Sequence, residues 1–177
     1  MKLFIASDIH GSAYYTDLLL DRYRKSSAER IILLGDVLYH GPRNDLPRDY
    51  APKRVAAALN AVADRILAVR GNCDAEVDGM VLDFDISSDR LVILDGNRVI
   101  RAVHGHHEER TVRGGDILLC GHTHVPAREM RDGNIYINPG SISIPKEASP
   151  HSYMTFEDGL FLWKDLDGGG SYREYRV

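Results

Sequence analysis

The chain has 177 residues, 44% of them hydrophobic and 27% charged. That composition excludes collagen-like, mucin-like and intrinsically disordered chains and fits an ordinary globular protein. Twenty-two basic residues against 26 acidic ones give a net charge of -4, which disfavours a long nucleic-acid-tracking face but leaves room for a local basic patch.

The first segment, KLFIASD (2–8), is a short, nearly continuous apolar run. It is too short for the apolar region of a signal peptide, and no later run approaches the roughly 20 residues of a membrane span, so a cytoplasmic location is expected. Four more runs of the same kind follow: 31–36, 66–72, 99–105 and 117–122. Such runs suit strands buried on both faces by flanking helices or a second sheet. Between the first two, residues 13–27 place Tyr15, Leu18, Leu19 and Tyr23 at helical spacing behind Ser12, a good N-cap. Residues 55–66 form a second helical stripe through Val55, Leu59, Val62 and Ile66. The first seventy residues therefore read βαβαβ.

Beyond that point short strands dominate, expected at 81–84, 91–94 and 98–103 with a turn at 95–97. A hairpin is expected over 129–138 around Asp132 and Gly133, and another over 152–166 bending at Glu157, Asp158 and Gly159. The tail ends in SYREYRV, a candidate edge strand. The expected fold is α/β: two mixed sheets packed face to face with helices outside, in one domain spanning 1–177. The two cysteines, Cys73 and Cys120, are too few for a disulfide framework.

Potential metal ligands sit at the ends of all five strand-like runs: Asp8 and His10, Asp36, Asn72, His104, and His122 with His124. Parallel neighbours present their C-terminal ends at one rim, so these side chains can converge. In D-x-H and H-x-H, strand alternation would aim both side chains to one face, although loop geometry could do the same. Glycine stands beside the ligands at 11, 35, 71, 105 and 121, where a close approach leaves no space for a Cβ. The ligand count points to two ions bridged by Asp36. One set is Asp8, His10, Asp36 and His124; the other is Asp36, Asn72, His104 and His122. Carboxylate, amide and imidazole donors favour Mn, Fe or Zn over thiolate-seeking metals. Such a pair of ions stays net positive and attracts a phosphodiester.

The ordered set DxH, GD, GN, H and GHTH resembles the calcineurin-like metallophosphoesterase superfamily. The wording SDIHGS, GDVLYHGPRN, AVRGNCD, HGH, GHTHVP and NPGSISIP is similar to its small bacterial YfcE-type phosphodiesterases, from Lys2 to about Leu162. The resemblance implies a four-layer αββα sandwich and a dinuclear centre, most often manganese with Fe, Zn, Ni or Co as alternatives. It also implies hydrolysis of small phosphodiesters, by in-line attack of a hydroxide held between the ions. Asp36, Asn72 and His104 would then serve catalysis as well as metal binding.

One position departs from the wider family, where GNH supplies a histidine that helps the leaving group. Here it is Cys73, read as a structural neighbour of the ligands rather than a nucleophile. His40 and His106 are the candidates to replace that acid; His107, before Glu108 and Glu109, and His151 read as solvated loop residues. Asp74 either orients a ligand imidazole or serves a turn. Arg43 contacts phosphate or braces the GPRN loop, and bracing suits Asn44 better. Leaving-group contacts fall in loops 37–50 and 105–114.

Three rival readings stand beside the diesterase. One is a non-catalytic assembly scaffold like the superfamily's retromer subunit, disfavoured by the complete ligand set. Another is a dinuclear hydrolase of a different bond. The third is an endonuclease, which lacks a basic or aromatic stripe. Tyrosines and leucines on an outer helix could support a homo-oligomer.

Overall fold

The computed structural model describes residues 1–107 and 115–177. Strand β1 (Lys2–Ala6) leads through Ser12 into helix α1 (Ala13–Ser26). The Ser12 hydroxyl accepts from the Tyr15 amide, and Arg24 and Lys25 fall in the last turn, where cations complement the helix dipole. Strand β2 (Arg30–Leu33) pairs parallel to β1. Helix α2 (Pro52–Asn60) opens on Pro52, whose missing amide hydrogen costs nothing in the first turn. It ends sooner than the helical stripe to Ile66 predicts, because a 3₁₀ turn at Ala63–Arg65 delivers Ile66 to strand β3 (Ile66–Ala68), which pairs parallel to β2.

Residues 81–84, expected as a strand, are a loop. The Asn60 side chain occupies their backbone instead, donating to the Val81 carbonyl and accepting from the Asp83 amide, both at 2.9 Å. The remaining strands are β4 (Arg90–Asp95), β5 (Arg98–Val103), β6 (Ile117–Leu119), β7 (Ala127–Arg131), β8 (Asn134–Asn138), β9 (Ser152–Glu157), β10 (Leu160–Asp165) and β11 (Ser171–Arg176). The hairpins β7–β8 and β9–β10 both turn on Asp-Gly pairs with positive φ, the conformation that matches the twist of the flanking strands.

The strands form two mixed sheets flanked by helices, in keeping with the four-layer sandwich. One runs β11-β10-β9-β1-β2-β3, the other β4-β5-β6-β8-β7. The tail strand β11 is indeed an edge. Alternation along β1 and β2 explains their apolar runs: Phe4, Ala6, Ile31 and Leu33 face α1 and α2, while Leu3, Ile5 and Ile32 face the second sheet. There they meet Ile100, Leu119 and Ile137 of that sheet, beside Phe156, Phe161 and Trp163 of their own. None of the described helices is long and apolar enough to cross a membrane.

Candidate metal centre

The loops that follow β1, β2, β3, β5 and β6 meet at one rim, and the chemistry of the sequence motifs meets with them. Asp8 and His10 do not converge by strand alternation: β1 ends at Ala6, and both residues have left-handed backbone, as do Asp36, His122 and His124. Asp and His tolerate that region better than most residues with a Cβ. Two glycines make the loops fit. A Cβ on Gly71 would overlap the Asp36 carboxylate, and one on Gly121 would overlap Ser7 and Asp8.

Three imidazoles are oriented alike. Nδ1 of His10 donates to the Tyr39 carbonyl (2.8 Å), that of His104 to Leu34 (2.6 Å) and that of His124 to Ile144 (2.6 Å). A carbonyl can only accept, so the proton is on Nδ1 and each Nε2 lone pair points into the centre, as second-sphere partners of metal-binding histidines commonly arrange. Nε2 of His10 and of His124 are 3.2 Å apart. His124 Nε2 is 3.3 Å from Asp8 Oδ1, a buried oxygen without a hydrogen-bond partner among the described residues. Asp36 Oδ2 lies 3.6 Å from His10 Nε2 and 3.3 Å from His104 Nε2. Facing lone pairs and an orphaned buried carboxylate oxygen call for a cation among them, so these residues fit divalent metal.

The donor atoms group as Asp8–His10–His124 and Asp36–His104–His122, with a third set of His10, Asp36 and Cys73 between them. This is the geometry of a two-metal site, with Asp36 shared by two of the three sets. Asn72 is exposed at its margin, its Oδ1 3.0 Å from His104 Nε2.

Burial alone would raise the Asp8 carboxyl, but His10 and His124 beside it hold it far below the carboxylate range. Burial works against charging His104, yet Asp36 and Asp8 carry it up to about 9; His10 is raised by the same two carboxylates. Those protons occupy the positions a metal needs. Loading metal-free protein with Mn at pH 8 should therefore release about one proton per chain or more. Calorimetry in buffers of different ionisation enthalpy measures this, and a heat independent of buffer contradicts it.

The loops are braced from behind. Asp74 orients no imidazole; its carboxylate accepts the amides of Asp36 (2.8 Å), Val37 (2.7 Å) and Gly71 (2.7 Å), tying the GD loop to the GN loop. Ser141 and Ser143 hydroxyls donate to the Asp8 carbonyl, and Asn138 Nδ2 donates to Gly121 O (2.7 Å) and Thr123 Oγ1 (3.1 Å). The Asn44 amide donates to His40 O and closes the GPRN loop.

A cleft of about 460 Å³ opens onto the centre, lined by His10, Asp36, Arg43, Cys73, His122 and Lys146 among others. Lys146 is absent from the sequence-based candidates; its one signal is its place after NPGSISIP, and its amide donates to His124 O. Burial first, then Asp36 beside it, pushes the Cys73 thiol up to about 12. His106 stands beside the centre, its ring 5.4 Å from that of His104. His40 instead packs against the rings of Tyr39 and Tyr50 and is not among the residues lining this cleft. His107 is exposed. His151 is no solvated loop residue: it stacks on Tyr15, donates to Ile142 O and accepts from the Tyr15 hydroxyl at 2.8 Å. Glu108, Glu109 and the rest of 108–114 lie outside the described residues.

Residues 1–158 match the family model of the calcineurin-like phosphoesterase superfamily domain. The chain is 48% identical to the phosphodiesterase YfcE of Escherichia coli K12 over 165 residues, covering 90% of this chain and 89% of that one. It is 27% identical to the probable metallophosphoesterase YsnB of Bacillus subtilis, covering 97% and 94%. Among solved structures, the E. coli phosphoesterase YfcE superposes with a TM-score of 0.95 at 40% identity over the full length of both chains. The zinc complex of Vps29 from Entamoeba histolytica, at 21% identity and a TM-score of 0.66, covers 100% of this chain and 98% of that one and shares the fold.

Proposed function

Since the chain belongs to the calcineurin-like phosphoesterase superfamily, we propose that it is a metal-dependent phosphodiesterase acting on small diesters in the cytoplasm, as a single domain over 1–177. The observation that best supports this reading is the shared position of Asp36 between two donor sets, beside a cleft that also holds Arg43 and Lys146. The diester preference rests on the E. coli relative, which is named a phosphodiesterase.

Asp8, His10, Asp36 and His124 would hold one ion, and Asp36, Asn72, His104 and His122 the other. Two bound divalent ions supply charge neutralisation at phosphoryl oxygens and acidify water. The donor set suits Mn first, with Fe, Zn, Ni or Co accepted. Arg43 and Lys146 grip the non-bridging oxygens from the cleft wall, orienting the diester for in-line displacement. Asp74 sets the distance between Asp36 and Asn72 through backbone amides. The test is metal-free protein reconstituted with Mn and assayed on diesters, monoesters and cyclic nucleotides. Diesters should lead; turnover of monoesters alone, or of nothing with both ions bound, overturns the proposal.

Cys73 holds its place by its amide, which donates to Asp36 Oδ1 at 2.8 Å, and its thiol stays protonated near neutral pH. Cys73→Ser should keep kcat/KM within about tenfold, because an un-ionised thiol adds little as a nucleophile. A loss of about 10³ with metals retained would give the sulfur a chemical role.

Leaving-group protonation is assigned to His106 by its place beside His104, with His40 as the alternative. Protonation matters for an alkyl leaving group and little for nitrophenolate, so His106→Asn should slow an alkyl or nucleoside diester about 10²-fold more than a nitrophenyl diester. Equal slowing of both substrates would remove His106 from that role. The same pair of assays on His40→Asn tests the alternative.

A further inference from the structure

Far from the metal centre, a second cleft of about 540 Å³ opens between α1 and the β9–β10–β11 edge of the larger sheet. Its floor is the helix-facing side of β9 and β10. Asp8 follows the end of β1, whereas Lys2, at the cleft, begins it; the strand alone, Lys2–Ala6, separates the two by roughly 13 Å.

The cleft is basic in a chain whose net charge is -4. Lys2, Arg22, Lys25, Lys164 and Arg176 line it, against Glu157 and Asp158, which leaves a local balance of +3. Two of these cations are paired: Lys2 with Glu157 at 3.2 Å and Lys25 with Asp21 at 2.7 Å. The other three have no ion pair among the described residues. Arg22 is fixed by the neutral carbonyls of Leu166 (3.1 Å) and Asp167 (2.7 Å), and Arg176 by that of Asp158 (3.2 Å), so both guanidinium groups are positioned without being neutralised. Lys164 has no ion pair among the described residues.

The floor adds an independent observation. Tyr153 and Thr155 alternate with Met154 on β9, and Met154 faces the other sheet, so both hydroxyl-bearing side chains point to the cleft side. The residues are only 4% and 6% exposed overall, and both line the open cleft. Hydroxyls lining a cleft can donate to acceptor atoms of a ligand seated there. Beside them Leu160 and Leu162 give a half-buried apolar strip. Phosphoryl-sized anions match the uncompensated guanidinium and ammonium groups, and a flat apolar group matches the strip.

We propose that this cleft binds a small phosphorylated ligand of nucleotide size, at a site separate from the metal centre. The phosphates lie between Arg22, Lys164 and Arg176 with Thr155 and Tyr153 donating from below, and the apolar moiety rests on Leu160 and Leu162.

Adenosine diphosphate is the probe, titrated into the zinc-loaded, isotope-labelled full chain and followed by amide chemical shifts. Shifts should centre on Arg22, Lys25, Thr155 and Lys164. Lys164→Glu should weaken binding about tenfold or more, since it replaces an attractive charge with a repulsive one. Thr155→Val, which keeps the side-chain shape, should weaken it about threefold or more. Neither change should alter kcat/KM on a nitrophenyl diester. Shifts confined to the Arg43 and Lys146 cleft overturn the proposal, as does unchanged affinity in both variants. Tighter binding of a single-stranded oligonucleotide, or of vesicles rich in anionic phospholipid, overturns the assignment to a small free ligand.

Discussion

Asp36→Ala should lower kcat/KM on a nitrophenyl diester by about 10⁴-fold and leave the chain with no more than about one tightly held metal equivalent. The carboxylate is 2% exposed, and its oxygens face His10, His104 and the Cys73 amide. Asp36 belongs to the Asp36–His104–His122 set and to the middle set with His10 and Cys73, so its removal opens one donor set and breaks the link to the other. Two ions contribute several kcal/mol of charge stabilisation in phosphoryl transfer, and each 1.36 kcal/mol is a decade of rate. Asp36→Asn separates charge from shape: the amide oxygen can still accept from Cys73, but the negative charge between the histidines is gone. Its loss should therefore fall between wild type and alanine. Metal analysis after reconstitution, run beside the assay, checks the account; full occupancy by two ions in Asp36→Ala would refute it.

Trp163→Ala should be the most damaging single change to stability. The indole is fully buried between the sheets, and its Nε1 donates to Asn138 O at 2.7 Å. Truncating a buried tryptophan to alanine costs about 3–5 kcal/mol. In a chain of this length each kcal/mol moves Tm by about 2–4 °C, so a drop of about 6–20 °C is expected by thermal melting. Activity should fall as well, even where the protein stays folded. Asn138 grips Gly121 and Thr123, which flank His122, so releasing its backbone loosens the GHTH loop. Trp163→Phe retains most of the packing and loses the donor, at a cost of about 1–3 kcal/mol. An unshifted Tm in Trp163→Ala would mean that the inter-sheet core tolerates the cavity.

The layers and the clustered donor residues are legible in the sequence for one reason. Strands covered on both faces must be apolar at successive positions, so the abrupt polar residue that ends each run stands out, and Asp36 after IILLG is the plainest case. Asp132-Gly133 and Asp158-Gly159 are equally plain, since few other pairs accept that turn. What patterning does not show is how a loop bends. The left-handed backbones of Asp8 and His10 replace the strand alternation that D-x-H suggests, and the Asn60 side chain takes over backbone groups that an apolar stretch at 81–84 would otherwise offer to a strand. Distant partners are equally hidden: Asp74 reads either as an imidazole-orienting or as a turn residue until its carboxylate is seen across the Asp36 loop. The basic cleft is invisible because its cations come from β1, α1, β10 and β11, scattered through an acidic chain.

The position of β9 beside β1 governs how the protein emerges during synthesis. β1 is made long before β9, yet it lies inside the larger sheet, and the neighbour that completes it begins at Ser152. At ribosomal speeds of about 5–20 residues per second, the nascent β1 waits roughly 7–30 s for that partner, with one edge open to wrong pairings. Asp8 waits nearly as long, because the hydroxyls of Ser141 and Ser143 that hold its carbonyl, and the Ile144 carbonyl that orients His124, are made just before β9. Metal capture is thereby deferred until residues up to Ile144 have been translated, and a nascent chain halted before Pro139 would lack the parts needed to retain its ions.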